Sequence, residues 1–277
     1  RRHPDPPDRR RGDRNSAGLR PPHTLAPMEL RGAVVVVTGA GRGIGAATAR
    51  ALAARGAQVV VTGLDEAELS ETAASIGAVP IVADVRDPAH AERVLAATTA
   101  RFGPVDVVVA NAGIGHAGTF AEMPPERIDD VIAVNVRGPM LLVRAALPPM
   151  LQRRSGALVF ISSVAGTLHV PREAVYSASK AAVEGFAETL REELRGSGVT
   201  VTTIVPAVVA TQFFDDRGEP YRRRFPRPVP AERIATAVAR AIERDSPRVV
   251  VPPWFKLPLR IHDTMPRLYK ALARRFS

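Results

Sequence analysis

A chain of 277 residues, 45% of them hydrophobic and none of them cysteine, can build one large α/β domain or two small ones. Without cysteine there is no disulfide framework, no thiolate metal site and no cysteine nucleophile, and the six histidines (3, 23, 90, 116, 169 and 262) never fall at metal-ligand spacing. The formal charge of +10 sits at the ends: residues 1–27 carry seven arginines against three aspartates, residues 246–277 seven basic residues against Asp263, and residues 28–245 carry 24 charges of each sign. A neutral body with basic tails excludes a nucleic-acid-binding domain.

Residues 1–27 are Arg, Pro and Asp with little to bury, so a disordered arm is expected. Met28 precedes the first apolar run and reads as the biological start, with the arm an over-extended reading frame or a genuine flexible extension. The first residues lack the apolar stretch of a signal peptide, and no apolar run approaches the roughly 18 residues of a bilayer span. A cytoplasmic protein is expected.

From Ala33 onward, short Val- and Ile-rich runs alternate with helical stretches. Strands are expected over Ala33–Val37, Gln58–Thr62, Val79–Ala83, Val105–Ala110, Ala157–Ile161, Val199–Val205 and Arg248–Val251. Helices are expected over Ile44–Arg55, Pro88–Arg101, Pro125–Arg153, Ala174–Arg195 and Pro230–Asp245. The runs are apolar nearly throughout, as in strands buried on both faces. Strict alternation makes residues 28–252 one domain: a doubly wound, Rossmann-type parallel sheet of seven strands with helices on both faces. Residues 253–277 form a basic amphipathic extension. A helix is expected there from about Asp263 to Phe276, with Met265, Leu268, Tyr269, Leu272 and Phe276 on one face and Arg267, Lys270, Arg274 and Arg275 on the rest.

After the first strand comes Thr38-Gly39-Ala40-Gly41-Arg42-Gly43-Ile44-Gly45, then a helix. Glycines in that turn let a backbone approach a pyrophosphate, and the helix N-terminus supplies free N–H groups and positive dipole. The acid that grips a ribose 2′-hydroxyl in NAD sites would sit just past the second strand. Gly63 stands there, and Asp65 reads as a helix N-cap, with a ribose contact the other reading. Arg42 could reach a 2′-phosphate, or could be a solvated loop arginine. NADP(H) is therefore favoured, with NAD(H) open.

Only three of the 38 basic residues are lysines, Lys180, Lys256 and Lys270, and Lys180 follows Tyr176 by one helical turn in Tyr176-Ser177-Ala178-Ser179-Lys180. Outside the arm only Asn111 and Asn135 are asparagine. Together with Thr38-Gly39, Gly43-Ile44-Gly45, Asp84-Val85, Asn111-Ala112-Gly113 and Ser163 thirteen residues before Tyr176, these motifs give the chain its resemblance to the short-chain dehydrogenases/reductases over residues 30–252. Its basic extension is similar to that of some actinobacterial members. The resemblance implies Tyr176 as general acid/base, Ser163 as holder of the substrate oxygen, and Lys180 as holder of the nicotinamide ribose. It also implies Asn135 as ligand of a water linking Lys180 to solvent, and Asn111 as support for the central strand. Asp84 and Val85 would meet the adenine, and Pro206, Val209 and Thr211 the carboxamide, although Ala207 stands where the family has glycine. A phenol that titrates near pH ~10 would need about 4 kcal/mol to work near ~7, which a cation about 4 Å away in a partly screened site would supply; Lys180 is the candidate.

Residues 212–229 read as a lid over the substrate, with Phe213, Phe214, Tyr221 and Phe225 beside several arginines, and His169 as a pocket residue or filler. The expected function is interconversion of a secondary alcohol and a ketone on an apolar small molecule, with 3-oxoacyl-carrier-protein reduction as the alternative. A cofactor-binding regulator or scaffold with little turnover is the alternative from another class; intact Tyr176, Lys180 and Ser163 argue against it. The resemblance also implies a homodimer or homotetramer through Pro125–Arg153 and Ala174–Arg195. The C-terminal helix could pack on the chain or its partner, or rest on a membrane with Trp254 and Phe255 at the interface.

Overall fold

Strands β1 (Val34–Thr38), β2 (Gln58–Gly63), β3 (Val79–Val82), β4 (Val107–Ala110), β5 (Gly156–Ile161), β6 (Val199–Pro206) and β7 (Arg248–Val251) form one parallel sheet in the order β3-β2-β1-β4-β5-β6-β7. They belong to a computed structural model that describes residues 28–222, 224–267 and 269. The expected arm over residues 1–27 and most of the expected final helix lie outside the described residues. Alternation along β1 explains the two helical layers. Val35 and Val37 share a core with Leu52 of α1 (Gly43–Ala53) and with Ile234 and Val238 of α7 (Ala231–Glu243). Val34 and Val36 share the opposite core with Leu142 and Met150 of α5 (Gly138–Arg153) and with Val183 and Ala187 of α6 (Ala174–Glu193). Each fully buried Val or Leu contributes roughly 1.5–3 kcal/mol. On the outer edge, β3 tolerates Pro80, which has no N–H to donate, and leaves Val82 exposed.

The chain leaves β3 and re-enters the sheet at β4, on the far side of β1. That reversal of strand order opens a crevice at the carboxyl ends of β1 and β4, where the functional loops gather.

Two helices differ from expectation. The stretch Pro125–Arg153 is α4 (Pro125–Ile132) and α5 joined by a π-helical turn, Ala133–Arg137. Pro139 accounts for the widening: it offers no N–H to the carbonyl of Asn135, four residues back, and its ring crowds that carbonyl. By length and composition this path is apolar enough to cross a membrane, which the search for apolar runs had excluded. Leu142, Val143, Ala146 and Met150 instead bury its inner face against the sheet. At the C-terminus the path is helical already from Lys256, in α8 (Lys256–Thr264), and within the expected span it is helical again at Pro266 and Arg267, with Tyr269 N donating to the Met265 carbonyl at 3.0 Å. Pro258 fits its first turn, where N–H groups lack partners anyway, and Pro266 forces the break at Met265.

Candidate active site

A cleft of about 1700 Å³ runs along the carboxyl ends of the strands. At one end, β1 turns into α1 through the glycine loop. Gly39 holds φ +60, and a Cβ there would lie 2.8 Å from Ala112 Cα; at Gly45 a Cβ would lie 2.1 Å from the Gly39 carbonyl oxygen. Only glycine fits either place. Helix α1 begins without a side-chain cap and without an acidic residue in its first turn, so its free N–H groups and dipole face the cleft uncompensated. That arrangement fits a diphosphate.

Thr38 and Asn111 tie this turn to β4. The Thr38 hydroxyl accepts from the Asn111 and Ala112 backbone N–H groups at 3.0 Å each, and Asn111 Nδ2 donates to the Thr38 and Gly39 carbonyls at 2.8 and 3.0 Å. Gly41, Arg42, Gly43, Ile44, Asp84, Val85, Asn111, Ala112 and Gly113 line the cleft, whereas Thr38 and Gly45 lie behind it as supports. Asp84 is held by Arg86, whose side chain donates to both carboxylate oxygens and keeps its pKa below the usual range.

The second phosphate region is more crowded than expected. Asp65 caps helix α2 (Glu66–Ile76), accepting from Glu68 N at 2.9 Å, as one reading of the sequence had it. Arg42 is exposed on its loop but not without partners. Its guanidinium pairs with Asp216 of the lid at 2.6 Å and with Glu68 at 3.6 Å.

Midway along the cleft, β5 delivers Ser163 and α6 delivers Tyr176 and Lys180, all buried. The Ser163 hydroxyl, which accepts from Ala165 N at 3.2 Å, stands beside the Tyr176 phenol and lowers its pKa. Lys180 Nζ donates to the Ile161 carbonyl at 2.9 Å and lies 5.7 Å from the Tyr176 ring centroid. Burial acts against the expected lowering of the phenol by Lys180. It pushes Tyr176 up to about 12, opposed only by the Ser163 hydroxyl, and pushes Lys180 down to about 8. In a dry pocket the cost of charging each group exceeds what the pair returns across this separation.

Asn135 sits behind the cleft wall. Its Oδ1 accepts from Ile114 N at 2.9 Å, and its Nδ2 donates to Ile114 O and Ser179 Oγ, each at 2.9 Å. A Cβ on Gly113 would lie 3.3 Å from Lys180 Nζ and 3.4 Å from Asn135 Oδ1, so the missing side chain leaves both polar atoms facing one small space. Farther along, Pro206, Val209 and Thr211 line the cleft. Ala207 is absent from the described residues with positive φ and so takes the family's glycine position without strain.

The lid contains the helical turn Phe213–Asp216. Phe213 packs on Tyr176 at 5.2 Å, Phe214 on Tyr221 at 5.2 Å, and Arg217 stands 4.7 Å over Phe214 while pairing with Glu173 in a largely buried ion pair. His169 lines the cleft in a left-handed conformation, its ring 5.2 Å from His262 of α8. Reading the sequence missed Glu68, Arg86, Glu173 and Arg217, and missed the support that Ser162, Glu184 and Arg248 give α6. Apart from the Arg86–Asp84 pair, two residues apart, these contacts join residues far apart in the chain, and no local pattern marks them.

A glycine turn at the point of strand reversal, beside a buried Ser–Tyr–Lys group, defines a nicotinamide-dinucleotide oxidoreductase site. The family model described as short chain dehydrogenase matches residues 33–222, and the chain belongs to that family. It is 35% identical over 212 residues to the 3-oxoacyl-acyl-carrier-protein reductase FabG of Escherichia coli, covering 76% of this chain and 87% of that enzyme. It is 35% identical over 264 residues to the probable oxidoreductase EphD of Mycobacterium tuberculosis, covering 87% of this chain and 44% of that longer protein. A short chain dehydrogenase/reductase of Burkholderia phymatum in complex with NAD superposes with TM-score 0.80 at 29% identity, covering 87% of this chain and 96% of that one. A short-chain dehydrogenase of Sphingobium yanoikuyae in complex with NADPH superposes with TM-score 0.74 at 26% identity, covering 84% and 95%. The protein is an NAD(P)-dependent oxidoreductase.

Proposed function

We propose that the enzyme interconverts a secondary alcohol and a ketone on an apolar substrate, with Tyr176, Ser163 and Lys180 as its catalytic residues and Asn135 as their support. The observation that carries this reading is that Ser163, Tyr176 and Lys180 lie buried together in the wall of the cleft. The bound dinucleotide supplies or takes up the hydride. In the reducing direction the Tyr176 phenol gives its proton to the carbonyl oxygen, which the Ser163 hydroxyl holds in place. Lys180, charged at neutral pH, offers its remaining donors to ribose hydroxyls, and the space between Nζ and Asn135 Oδ1 suits a proton-relaying water. Phe213, packed on Tyr176, keeps bulk water off the phenol.

NADP(H) is the preferred cofactor in this reading. Gly63 offers no acid, Asp65 is spent as a cap, and Arg42 faces the cleft. A 2′-phosphate would draw Arg42 from two half-exposed carboxylates. Assembly would use Pro125–Arg153 and Ala174–Glu193, where Ile132 and Leu151 are exposed. A second reading, reduction of a 3-oxoacyl group on a carrier protein, is favoured by the similarity to FabG.

A panel of ketones, alcohols and 3-oxoacyl thioesters, offered with each nicotinamide, tests both readings. Tyr176→Phe is expected to lose about 10²–10⁴-fold in turnover while keeping dinucleotide affinity. Turnover close to wild type would overturn the mechanism. Thioesters turned over to the exclusion of free ketones would select the second reading.

A further inference from the structure

Nine large apolar side chains are exposed among the described residues, and four of them, Phe225, Trp254, Leu257 and Met265, come from the lid and the C-terminal segment. They are not scattered. Phe225 stacks on Trp254 at 5.4 Å and Trp254 on Phe255 at 4.1 Å. Trp254, Leu257 and Ile261 fall at spacings of three and four, on one face of the helical path into α8. Leu259, on another face, is buried with Val205 and Val250 and fixes α8 to the end of the sheet. Phe225, Trp254, Phe255, Pro258 and Ile261 also line the cleft. The apolar patch is therefore the rim of the cleft's substrate end.

Charge says what covers it. Residues 221–229 contain four arginines and no acid, and residues 252–267 contain Lys256, Arg260 and Arg267 against Asp263 alone. Arg224, Arg227, Lys256, Arg260 and Arg267 are exposed and form no ion pair among the described residues. A second copy of this chain seated on the rim would bring two cationic borders together, a repulsive arrangement. An anionic lipid surface accepts both components: aromatic rings settle at the headgroup boundary, and lysine and arginine face acidic headgroups.

We propose that this rim docks on an anionic bilayer, and that the substrate is a lipophilic ketone or alcohol entering the cleft from the membrane. The substrate half rests on the alcohol–ketone reading above; the docking half does not.

Trp254 is the only tryptophan in the chain, so its emission reports the rim directly. The full chain is titrated with phosphatidylcholine vesicles, with and without roughly 30% phosphatidylglycerol, and binding is read by Trp254 emission and co-sedimentation. Expected are a blue shift and sedimentation with the anionic vesicles only, reversed near ~1 M salt, where screening acts within about 3 Å. Lys256→Glu/Arg260→Glu should weaken partitioning by roughly 25-fold or more, at about fivefold per lost charge. Retained dinucleotide affinity in that variant shows it is folded. Equal affinity for neutral and anionic vesicles, or none for either, overturns docking. So does a Trp254 shift that follows protein concentration without lipid, alongside a dimer in sedimentation velocity, because the rim would then face a second copy. Docking without turnover of any ketone or alcohol, dispersed or in vesicles, would sink the alcohol–ketone reading and leave docking intact.

Discussion

The two ends of the cleft are built by different means. At the dinucleotide end, backbone meets backbone: Gly39 against Ala112, Gly45 against the Gly39 carbonyl, Asn111 and Thr38 bonding main-chain groups. At the substrate end, long side chains meet one another: Arg217 with Glu173, Arg42 with Asp216, Phe213 on Tyr176, Phe225 on Trp254. The first construction has almost no freedom and suits an invariant diphosphate. The second can re-form around different partners, and suits a site whose substrate varies while its chemistry does not.

The comparison breaks most sharply at Gly45. Gly45→Ala puts a methyl group 2.1 Å from the Gly39 carbonyl oxygen, with no flexible neighbour to yield. Overpacking of this kind costs about 1–3 kcal/mol or more, and the strain falls on the phosphate loop itself. The expected outcome is loss of measurable dinucleotide binding by fluorescence titration, with the sheet still folded by circular dichroism. Binding within a few-fold of wild type would mean the loop is not the rigid element described.

At the other end, Glu173→Ala removes the carboxylate of a largely buried ion pair with Arg217. Removing one partner of such a pair costs about 3–5 kcal/mol, whereas replacing both by apolar residues is often neutral. Glu173→Ala should therefore lower the denaturation midpoint and loosen the lid, and Glu173→Leu/Arg217→Met should recover most of the loss. A double variant no better than the single would show that the pair does more than neutralise charge.

The same division governs what the sequence discloses. The seven strands and their parallel sheet, the glycine turn, Asn111, Ser163, Tyr176 and Lys180 depend on local pattern: apolar runs, glycine where Cβ cannot fit, two side chains one helical turn apart. Those features were legible. The pairs that shape the substrate end join residues 44 and 174 positions apart, and nothing in either local stretch announces the other. The electrostatics of Tyr176 depend on more than spacing for a related reason. Spacing places Lys180 on the right face, but only the packed structure reveals that its Nζ turns to the Ile161 carbonyl and that burial acts on both groups. The π turn at Asn135 was legible in principle, since Pro139 stands four residues on.

Arg42 lies where the two constructions touch, between the phosphate loop and the lid. Arg42→Ala is expected to weaken NADPH by roughly tenfold or more and NADH little, as an exposed charge-assisted contact worth about 1.5–3 kcal/mol would require. Asp216→Ala, which frees the guanidinium, should instead tighten NADPH. Equal losses for both cofactors in Arg42→Ala would reverse the preference proposed above.

The mildest effect comes from Lys180, whose pKa is pushed down to about 8 from an ordinary 10.5. The unfolded chain binds this proton more tightly than the folded one, so the charge works against folding below about 8. Stability from this group then rises with pH until 10.5, where the unfolded lysine also loses its proton. Lys180→Met should be more stable than wild type near neutral pH in chemical denaturation, with its advantage shrinking across that window. Function runs the opposite way: the ammonium is present below about 8 and lost above it, so wild-type dinucleotide affinity should fall severalfold across that value while Lys180→Met shows a weak, pH-independent affinity. A flat wild-type profile would mean that bound dinucleotide restores the charge, and that the two ends of the cleft are coupled through this one amine.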